Sequence, residues 1–144
     1  SCLRGDPVKV FGDGKQVRDW LFVRDHCDAL GELARYGRVG ERYCIGGNNE
    51  LTNLEMIEQI VNAVQDHTGG VVDLELQFTD DRPTDDRRYA IDTTKIVSEN
   101  IWRPVGKQHF KKCLTLTIEH YIAKLRREAP SFARRANVSG ADYA

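Results

Sequence analysis

The sequence lacks any long apolar run and any excess of charge of one sign. No stretch approaches the roughly 20 apolar residues that a transmembrane helix needs, and 21 basic residues balance 22 acidic ones. A chain so balanced has no global field that draws it to nucleic acid or to an acidic membrane. The N-terminus also lacks the charged and then apolar pattern of an export signal. We therefore expect a cytoplasmic protein with no nucleic-acid or membrane partner.

The four cysteines form no CxxC pair, and the four histidines are dispersed in the sequence. Zinc sites and redox-active disulfides usually have closely spaced ligand pairs. The sequence therefore predicts no metal site, and reduced thiols in a cytoplasmic protein are the simplest interpretation.

Glycine-rich phosphate-binding motifs are missing as well. The sequence contains neither GxGxxG nor GxxxxGK, and the pair Gly46–Gly47 is a weak signal, more typical of the end of a strand. Spacings typical of nucleophilic triads and of metalloprotease helices are also absent. His26 next to Asp25 could take part in acid–base chemistry, but a structural role at the start of a helix is the more common one.

What is present is a chain of 144 residues, long enough for one domain with a hydrophobic core. It begins without methionine, which predicts a start inside a larger protein. Apolar residues show strand-like and helix-like periods in turn, which favours an α/β or α+β arrangement. Residues 1–125 are predicted to form one incomplete domain. Residues 126–144, basic and without apolar periodicity, are predicted to be a mobile tail.

Two strands are predicted near the N-terminus, at Val8–Val10 and over 16–23. The turn GDGK between them suggests a hairpin. A short helix should follow from Asp25 and end at Gly37 in a left-handed conformation. A further short strand is predicted around Tyr43–Ile45.

The second half of the chain shows clearer helix and strand signals. Thr52 and Glu55 have the spacing of a capping box, and they begin an apolar stripe that predicts a helix to about His67. Strict alternation over 71–78 predicts a half-buried strand. Asp92 should cap a short helix. A last helix is expected over about Phe110–Leu125, with one apolar face formed by Leu114, Ile118, Tyr121 and Leu125.

Three polar residues stand where the structural pattern alone does not require them. Arg18 interrupts an apolar strand, Asn53 lies in the first turn of a helix, and Arg82 ends a strand before Pro83. Two guanidinium groups and a helix N-terminus, if they converge, would bind a diphosphate or carboxylate. The alternative is that each arginine pairs with a nearby acidic residue, and the residue pattern alone favours this alternative.

Four motifs decide between these interpretations by resemblance. In order they are VFGDGKQVRDWLFVRDHCDAL, GERYCIGGNNELTNLEMIEQI, DDRPTDDRRYAIDTTKI and IWRPVG with a later EHY. They resemble the C-terminal part of dTDP-glucose 4,6-dehydratases, NAD-dependent members of the extended short-chain dehydrogenase/reductase family. The similarity extends over about residues 1–124. RDWLFVRDH followed by IGGNNE is the most specific part.

The resemblance implies that this incomplete domain is the substrate-binding part of an extended Rossmann-type α/β fold. It implies that Arg18 and Arg82 hold the diphosphate of a dTDP-sugar, with Asn53 nearby. Phe11, often tyrosine in the family, would lie near the nucleotide, and Asp85 replaces a histidine that contacts substrate. The strand around Tyr43–Ile45 would join the sheet of an N-terminal cofactor domain, and the parent enzyme would be a homodimer.

The resemblance also implies what the chain lacks. In the family, NAD takes a hydride from the sugar and later returns it, and a Tyr-x-x-x-Lys pair and a glycine-rich loop serve that chemistry. Both motifs are missing from this sequence, so we expect no catalytic residues and no activity from this segment alone. Two alternatives stay open: a non-catalytic nucleotide-sugar-binding or structural remnant, and a piece of a related epimerase or decarboxylase.

Overall fold

The computed structural model describes residues 3–81, 84 and 86–128. Along the chain, four short strands and four helices follow one another in the order β1, β2, α1, β3, α2, β4, α3, α4. Their bounds are Val8–Phe11, Val17–Asp19, Val23–Tyr36, Glu50–Thr52, Asn53–Thr68, Leu76–Thr79, Thr94–Ser98 and Lys107–Glu128. The mixture of short strands and helices agrees with the predicted α/β class.

The chain divides into two compact units. The first consists of the described parts of residues 1–14, 54–83 and 114–144, and the second of those of 15–53 and 84–113. The boundary therefore passes through α2 after Asn53 and through α4 after Cys113.

In the first unit, β1 and β4 form a parallel pair with Val8 opposite Leu76. A parallel pair needs a long crossover connection, and α2 is part of that connection. The core of this unit contains buried apolar residues from β1, α2 and α4. They are Val10, Met56, Val64, Leu114, Ile118 and Ile122.

In the second unit, β2 and β3 form an antiparallel pair with Arg18 opposite Leu51. The other edge of β2 is also used, because Val17 donates its N–H to the carbonyl of Arg87 and accepts one from Tyr89. Ala29 and Ile96 are fully buried in this unit.

The predicted hairpin between β1 and β2 is therefore wrong. Both edges of β2 are occupied, by β3 and by the segment around Arg87, so no edge is left for β1. The segment GDGK nevertheless forms a turn, as predicted, and its glycines Gly12 and Gly14 have positive φ values of 59° and 70°.

Helix ends were predicted with mixed success. The helix α2 begins at Asn53, directly after Thr52, as the capping-box spacing predicts. The helix α1 ends before Gly37, as expected, but Gly37 has φ −69° and is extended rather than left-handed. A Cβ at Gly37 would lie 2.5 Å from the carbonyl oxygen of Leu33. Close approach to the helix, not a positive φ, therefore explains the glycine.

Two other predictions change in detail. The final helix α4 is longer than predicted, and Ile122 at 5% exposure takes the core position assigned to Tyr121, which is 55% exposed. Residues 114, 118 and 122 keep a strict spacing of four, whereas 121 turns away from that line. The helix continues past residue 125 to Glu128. Residues 129–144 lie outside the described residues, so the mobile tail stays a prediction.

No strand of the described chain covers Tyr43–Ile45. The sequence predicted that this stretch pairs with the sheet of an N-terminal cofactor domain. That pairing stays a prediction. Among the described residues, no helix is both long and apolar enough to cross a membrane.

Candidate functional site

Arg18 lies at the centre of β2, where its side chain is held from three directions. Its Nη1 atom donates to the carbonyl oxygens of Val17 at 2.8 Å and of Asp86 at 2.9 Å. The guanidinium carbon lies 4.6 Å from the centroid of the Tyr89 ring, which is cation–π distance. These contacts fix the plane of the guanidinium group, and a fixed plane is what bidentate recognition of an anion requires.

The charged loop, as we call the segment TDDRPTDDRRYAID, begins at the end of β4, and its described end runs along β2. Val17 forms a parallel bridge with Arg88, and backbone hydrogen bonds of 2.9 and 3.0 Å join Val17 to Arg87 and Tyr89. Arg82 and Asp85, two of the predicted site residues, lie outside the described residues. The described segment that follows them, from residue 86, is thus attached to the strand that carries Arg18.

Asn53 is the first residue of α2 and is attached to Gln16. Its backbone N–H donates to the Gln16 carbonyl at 3.1 Å, and its side-chain Nδ2 donates to Gln16 Oε1 at 3.4 Å. Gln16 is only 1% exposed. These contacts place Asn53 beside Gln16, which lies two residues before Arg18 in the chain.

The first two backbone amides of α2 already donate hydrogen bonds within the protein. The sequence predicted instead that the amides at this helix start would be available to an anion. The N–H of Asn53 donates to Gln16, and that of Leu54 donates to the Gly14 carbonyl at 3.1 Å. The expectation of free amides is therefore wrong at these two positions, because they continue the backbone pairing of the preceding strand.

Asp19, next to Arg18, holds the turn that contains Gly46 and Gly47. Its Oδ2 accepts the N–H of Gly47 at 2.9 Å, and its Oδ1 accepts the N–H of Asn49 at 2.8 Å. The Gly47 amide is thereby used inside the protein. The sequence predicted that the glycine pair ends a strand, but no strand of the described chain directly precedes it.

Glu50 of β3 holds Arg88, the last arginine of the charged loop. Its carboxylate forms a two-pronged ion pair with Arg88, at 2.6 and 2.8 Å. The hydrogen bonds to Arg88 and its positive charge lower the pKa of Glu50, and the same hydrogen bonds and the negative charge of Glu50 raise the pKa of Arg88. This pair joins β3 to the segment that also contacts Arg18.

Phe11 is the last residue of β1, in the first unit, and is 38% exposed. Of the five predicted site residues, the structure thus places Arg18 and Asn53 in the second unit and Phe11 in the first. Gln16, Tyr89 and Asp19 were not predicted as part of this environment. Their contacts join residues about 30 to 70 positions apart, and no local pattern in the sequence reveals them.

A second polar cluster lies elsewhere in the same unit. Asp25 contacts His109 rather than its sequence neighbour His26, and Cys113 contacts the same histidine. Burial and the negative charge of Asp25 raise the pKa of the Cys113 thiol. The signal that could have found two of these residues is the H-x3-C spacing of 109 and 113, which places both on one face of a helix.

The residues present do not fit a dinucleotide cofactor. Dinucleotide sites use a glycine-rich turn between a strand and a helix N-terminus. Here the connections from β2 to α1, from β3 to α2 and from β4 to α3 contain no glycine at all. This chain therefore supplies no loop of the kind that holds NAD.

A family model and sequence relatives that match this chain are both described as nucleotide-sugar 4,6-dehydratases. The family model described as GDP-mannose 4,6 dehydratase matches residues 2–115. The dTDP-glucose 4,6-dehydratase of Xanthomonas campestris pv. campestris strain B100 is 43% identical over 126 residues, covering 85% of this chain and 35% of that protein. The chain thus spans about a third of the length of that relative.

Solved structures of similar fold are nucleotide-sugar enzymes as well. The dTDP-glucose 4,6-dehydratase of Bacillus anthracis in complex with NAD is 39% identical with a TM-score of 0.72, covering 86% of this chain and 37% of that one. The UDP-glucose 4-epimerase of Thermotoga maritima with UDP-glucose is 29% identical with a TM-score of 0.71, covering 86% and 37%. With more than three quarters of its length matched by the family model, the chain belongs to the GDP-mannose 4,6-dehydratase family of Rossmann-type enzymes, and it matches a segment of the dTDP-glucose 4,6-dehydratases within it.

Proposed function

We propose that this chain is the nucleotide-sugar-binding portion of an NAD-dependent dehydratase that converts dTDP-glucose to dTDP-4-keto-6-deoxyglucose. Arg18, Asn53 and Arg82 hold the diphosphate, and Phe11 and Asp85 lie at the nucleotide and the sugar. The observation that carries the proposal is the fixed guanidinium of Arg18, oriented by two backbone carbonyls and by the Tyr89 ring.

The orientation of Arg18 supports an anion-binding role on energetic grounds. Ordering a long arginine side chain costs conformational entropy, up to about 2 kcal/mol. In this chain, contacts within the protein have already ordered it. A ligand that meets an ordered fork avoids that cost, which is the advantage of a preorganised site.

The position of Asn53 supports the same site. Its side-chain amide is attached to the buried Gln16, which lies two residues before Arg18 in the chain. Arg82 precedes Asp86 by four residues, and Asp86 is the residue whose carbonyl accepts from Arg18.

In the parent protein, NAD is bound by an N-terminal cofactor domain of the same protein, and the enzyme is a homodimer. When bound, NAD supplies hydride transfer, whereas this segment binds and orients the nucleotide-sugar. The segment alone has no turnover. Extending the reading frame upstream tests this directly, since the absence of a glycine-rich loop and a Tyr-x-x-x-Lys pair there would contradict the proposal.

Calorimetric titration of the chain with dTDP and UDP tests the binding role. Arg18→Ala should weaken nucleoside diphosphate binding at least about tenfold, because a hydrogen bond to a charged group contributes about 1.5–3 kcal/mol. Arg35→Ala is the matched control, since Arg35 is an exposed arginine of the same unit that pairs with Glu32. It should change the affinity less than about twofold.

Two results would contradict the binding role. One is no heat of binding with either nucleotide, and the other is an equal loss of affinity in both variants. Retained binding with a large loss of stability in Arg18→Ala would instead assign Arg18 to folding.

A second candidate is a segment of a related nucleotide-sugar epimerase. The epimerase structure fits the chain as well as the dehydratase structure does, with TM-scores of 0.71 and 0.72, although its sequence is less similar. Assay of the complete protein with dTDP-glucose distinguishes the two, since only the dehydratase forms the 4-keto-6-deoxy product.

A further inference from the structure

Three side chains that are common metal ligands meet in the second unit, away from the residues that contact Arg18. Asp25 lies in the first turn of α1, and His109 and Cys113 lie one turn apart near the start of α4. His109 Nε2 is 3.1 Å from Asp25 Oδ1 and 3.2 Å from Cys113 Sγ. The three ligand atoms all lie within 4.8 Å of one another.

This arrangement is not that of a nucleophilic triad. In a triad, one imidazole nitrogen faces the nucleophile and the other faces the carboxylate. Here a single nitrogen, Nε2, faces both the thiol and the carboxylate. That nitrogen carries either a proton or a lone pair, so it serves as a donor to Asp25 or as an acceptor from Cys113, but not as both.

A cation placed between the three atoms interacts favourably with all of them. Tetrahedral zinc bonds of about 2.3 Å to sulfur and about 2.0–2.2 Å to nitrogen and oxygen imply ligand–ligand separations of roughly 3.4–3.6 Å. The separations of 3.1 and 3.2 Å from His109 Nε2 to Asp25 and to Cys113 need to open by a few tenths of an ångström, and Asp25 Oδ1 and Cys113 Sγ lie within 4.8 Å of each other. Cysteine, histidine and aspartate are also the donor types that zinc combines.

The site has a buried side, at Cys113, and a more exposed side, at His109. Cys113 is 3% exposed, and the side chains of Asp25 and His109 are 14% and 37% exposed. A cation can therefore approach from the histidine side and exchange its last water molecules for the buried sulfur.

We propose that Asp25, His109 and Cys113 form a three-ligand site for a zinc-class divalent cation, with water in the fourth position. On binding, the Cys113 thiol releases its proton to solvent, and sulfur, nitrogen and oxygen each donate an electron pair to the metal. The site joins the start of α1 to the start of α4. This proposal departs from the sequence prediction of no metal, and it does not depend on the nucleotide-sugar proposal.

The test uses the 144-residue chain with Cys2, Cys27 and Cys44 replaced by serine, so that Cys113 is the only thiol. Cobalt(II) serves as the probe, because a thiolate ligand gives it a charge-transfer absorption band in the near ultraviolet. We expect one equivalent of cobalt with that band, displaced by one equivalent of zinc. Zinc should also raise the melting temperature, because a ligand that binds only the folded state stabilises it.

Single variants then assign the ligands. His109→Gln and Asp25→Asn should each weaken metal binding at least about tenfold, whereas His120→Gln, a histidine of α4 in the other unit, should not. Cys113→Ser should abolish the band. Circular dichroism confirms that each variant is folded, and the near-isosteric Asp25→Asn keeps the test valid if Cys113→Ser unfolds. Absence of the band in the parent chain, or equal binding by His109→Gln, would overturn the proposal.

Discussion

The guanidinium group of Arg18 stacks on the ring of Tyr89, with 4.6 Å between the guanidinium carbon and the ring centroid. The two residues are 71 positions apart in the chain, and backbone hydrogen bonds between Val17 and residues 87 and 89 bring them together. The ring thus supports the arginine from a segment that the sequence identifies only as a charged loop.

Tyr89→Leu should weaken binding of dTDP or UDP about threefold. An exposed cation–π contact contributes about 0.5–1 kcal/mol, and its loss leaves the Arg18 fork less ordered. Tyr89→Phe is the matched control, because it keeps the ring and removes only the hydroxyl, and it should bind almost as tightly as the parent. Calorimetry measures both. A greater loss in Tyr89→Phe than in Tyr89→Leu would show that the hydroxyl, not the ring, is important.

Asp19→Asn should destabilise the chain by about 1–3 kcal/mol. The amide group replaces one carboxylate oxygen with a donor, so either the Gly47 or the Asn49 N–H loses its acceptor. Asp28→Asn, on the exposed side of α1, removes the same charge and should change the stability by less than about 0.5 kcal/mol. Urea unfolding compares them. Equal effects would mean that charge alone, not the turn, accounts for the change.

Gly47→Ala should destabilise the second unit by about 1–3 kcal/mol, the usual cost of overpacking. An added Cβ would lie 2.4 Å from the carbonyl oxygen of Trp20, a backbone atom that cannot turn aside. Gly31→Ala supplies the control within α1, because its Cβ would meet nothing within 4 Å. That change should stabilise the chain by up to about 1 kcal/mol, since alanine favours helix over glycine. Thermal unfolding of both variants should therefore show opposite signs.

The Glu50–Arg88 ion pair predicts a pH-dependent contribution to stability. Its geometry lowers the pKa of Glu50 below the ordinary 4.5. A carboxylate whose pKa is lower in the folded state stabilises the fold above the unfolded pKa and loses that effect as the pH falls through the folded pKa. The stability difference between the parent and Glu50→Gln should therefore be constant at neutral pH and shrink below about pH 4.5. A difference that grows in acid would contradict the pair.

Local signals predicted the elements whose cause is local. The start of α2 at Asn53 was found because Thr52 and Glu55 are only three residues apart, and the apolar stripe that follows repeats every three to four residues. The strand β1 and the short helix α3 were also found. The N-cap of α3 is Thr93 rather than the predicted Asp92, although Asp92 accepts the Thr94 N–H at 2.8 Å.

Strand partners were not predictable in the same way. The turn at Gly12 and Gly14 suggested that β1 pairs with β2, whereas β1 pairs with β4 and β2 with β3. A turn signal reports that the chain changes direction, but the free edges available in the folded protein decide which strands meet. For the same reason, the sequence singled out Arg18 but gave no indication of Tyr89.

The sequence by itself determined the α/β class, the relation to the 4,6-dehydratases, and the choice of Arg18 as the residue to explain. Each of these depends on the order of residues along a short stretch. Only the tertiary structure decided which residues hold Arg18, why the α2 amides are occupied, and that Asp25 meets His109 and Cys113. Those outcomes depend on contacts between residues far apart in the chain, whose positions are set by packing and backbone pairing rather than by local pattern.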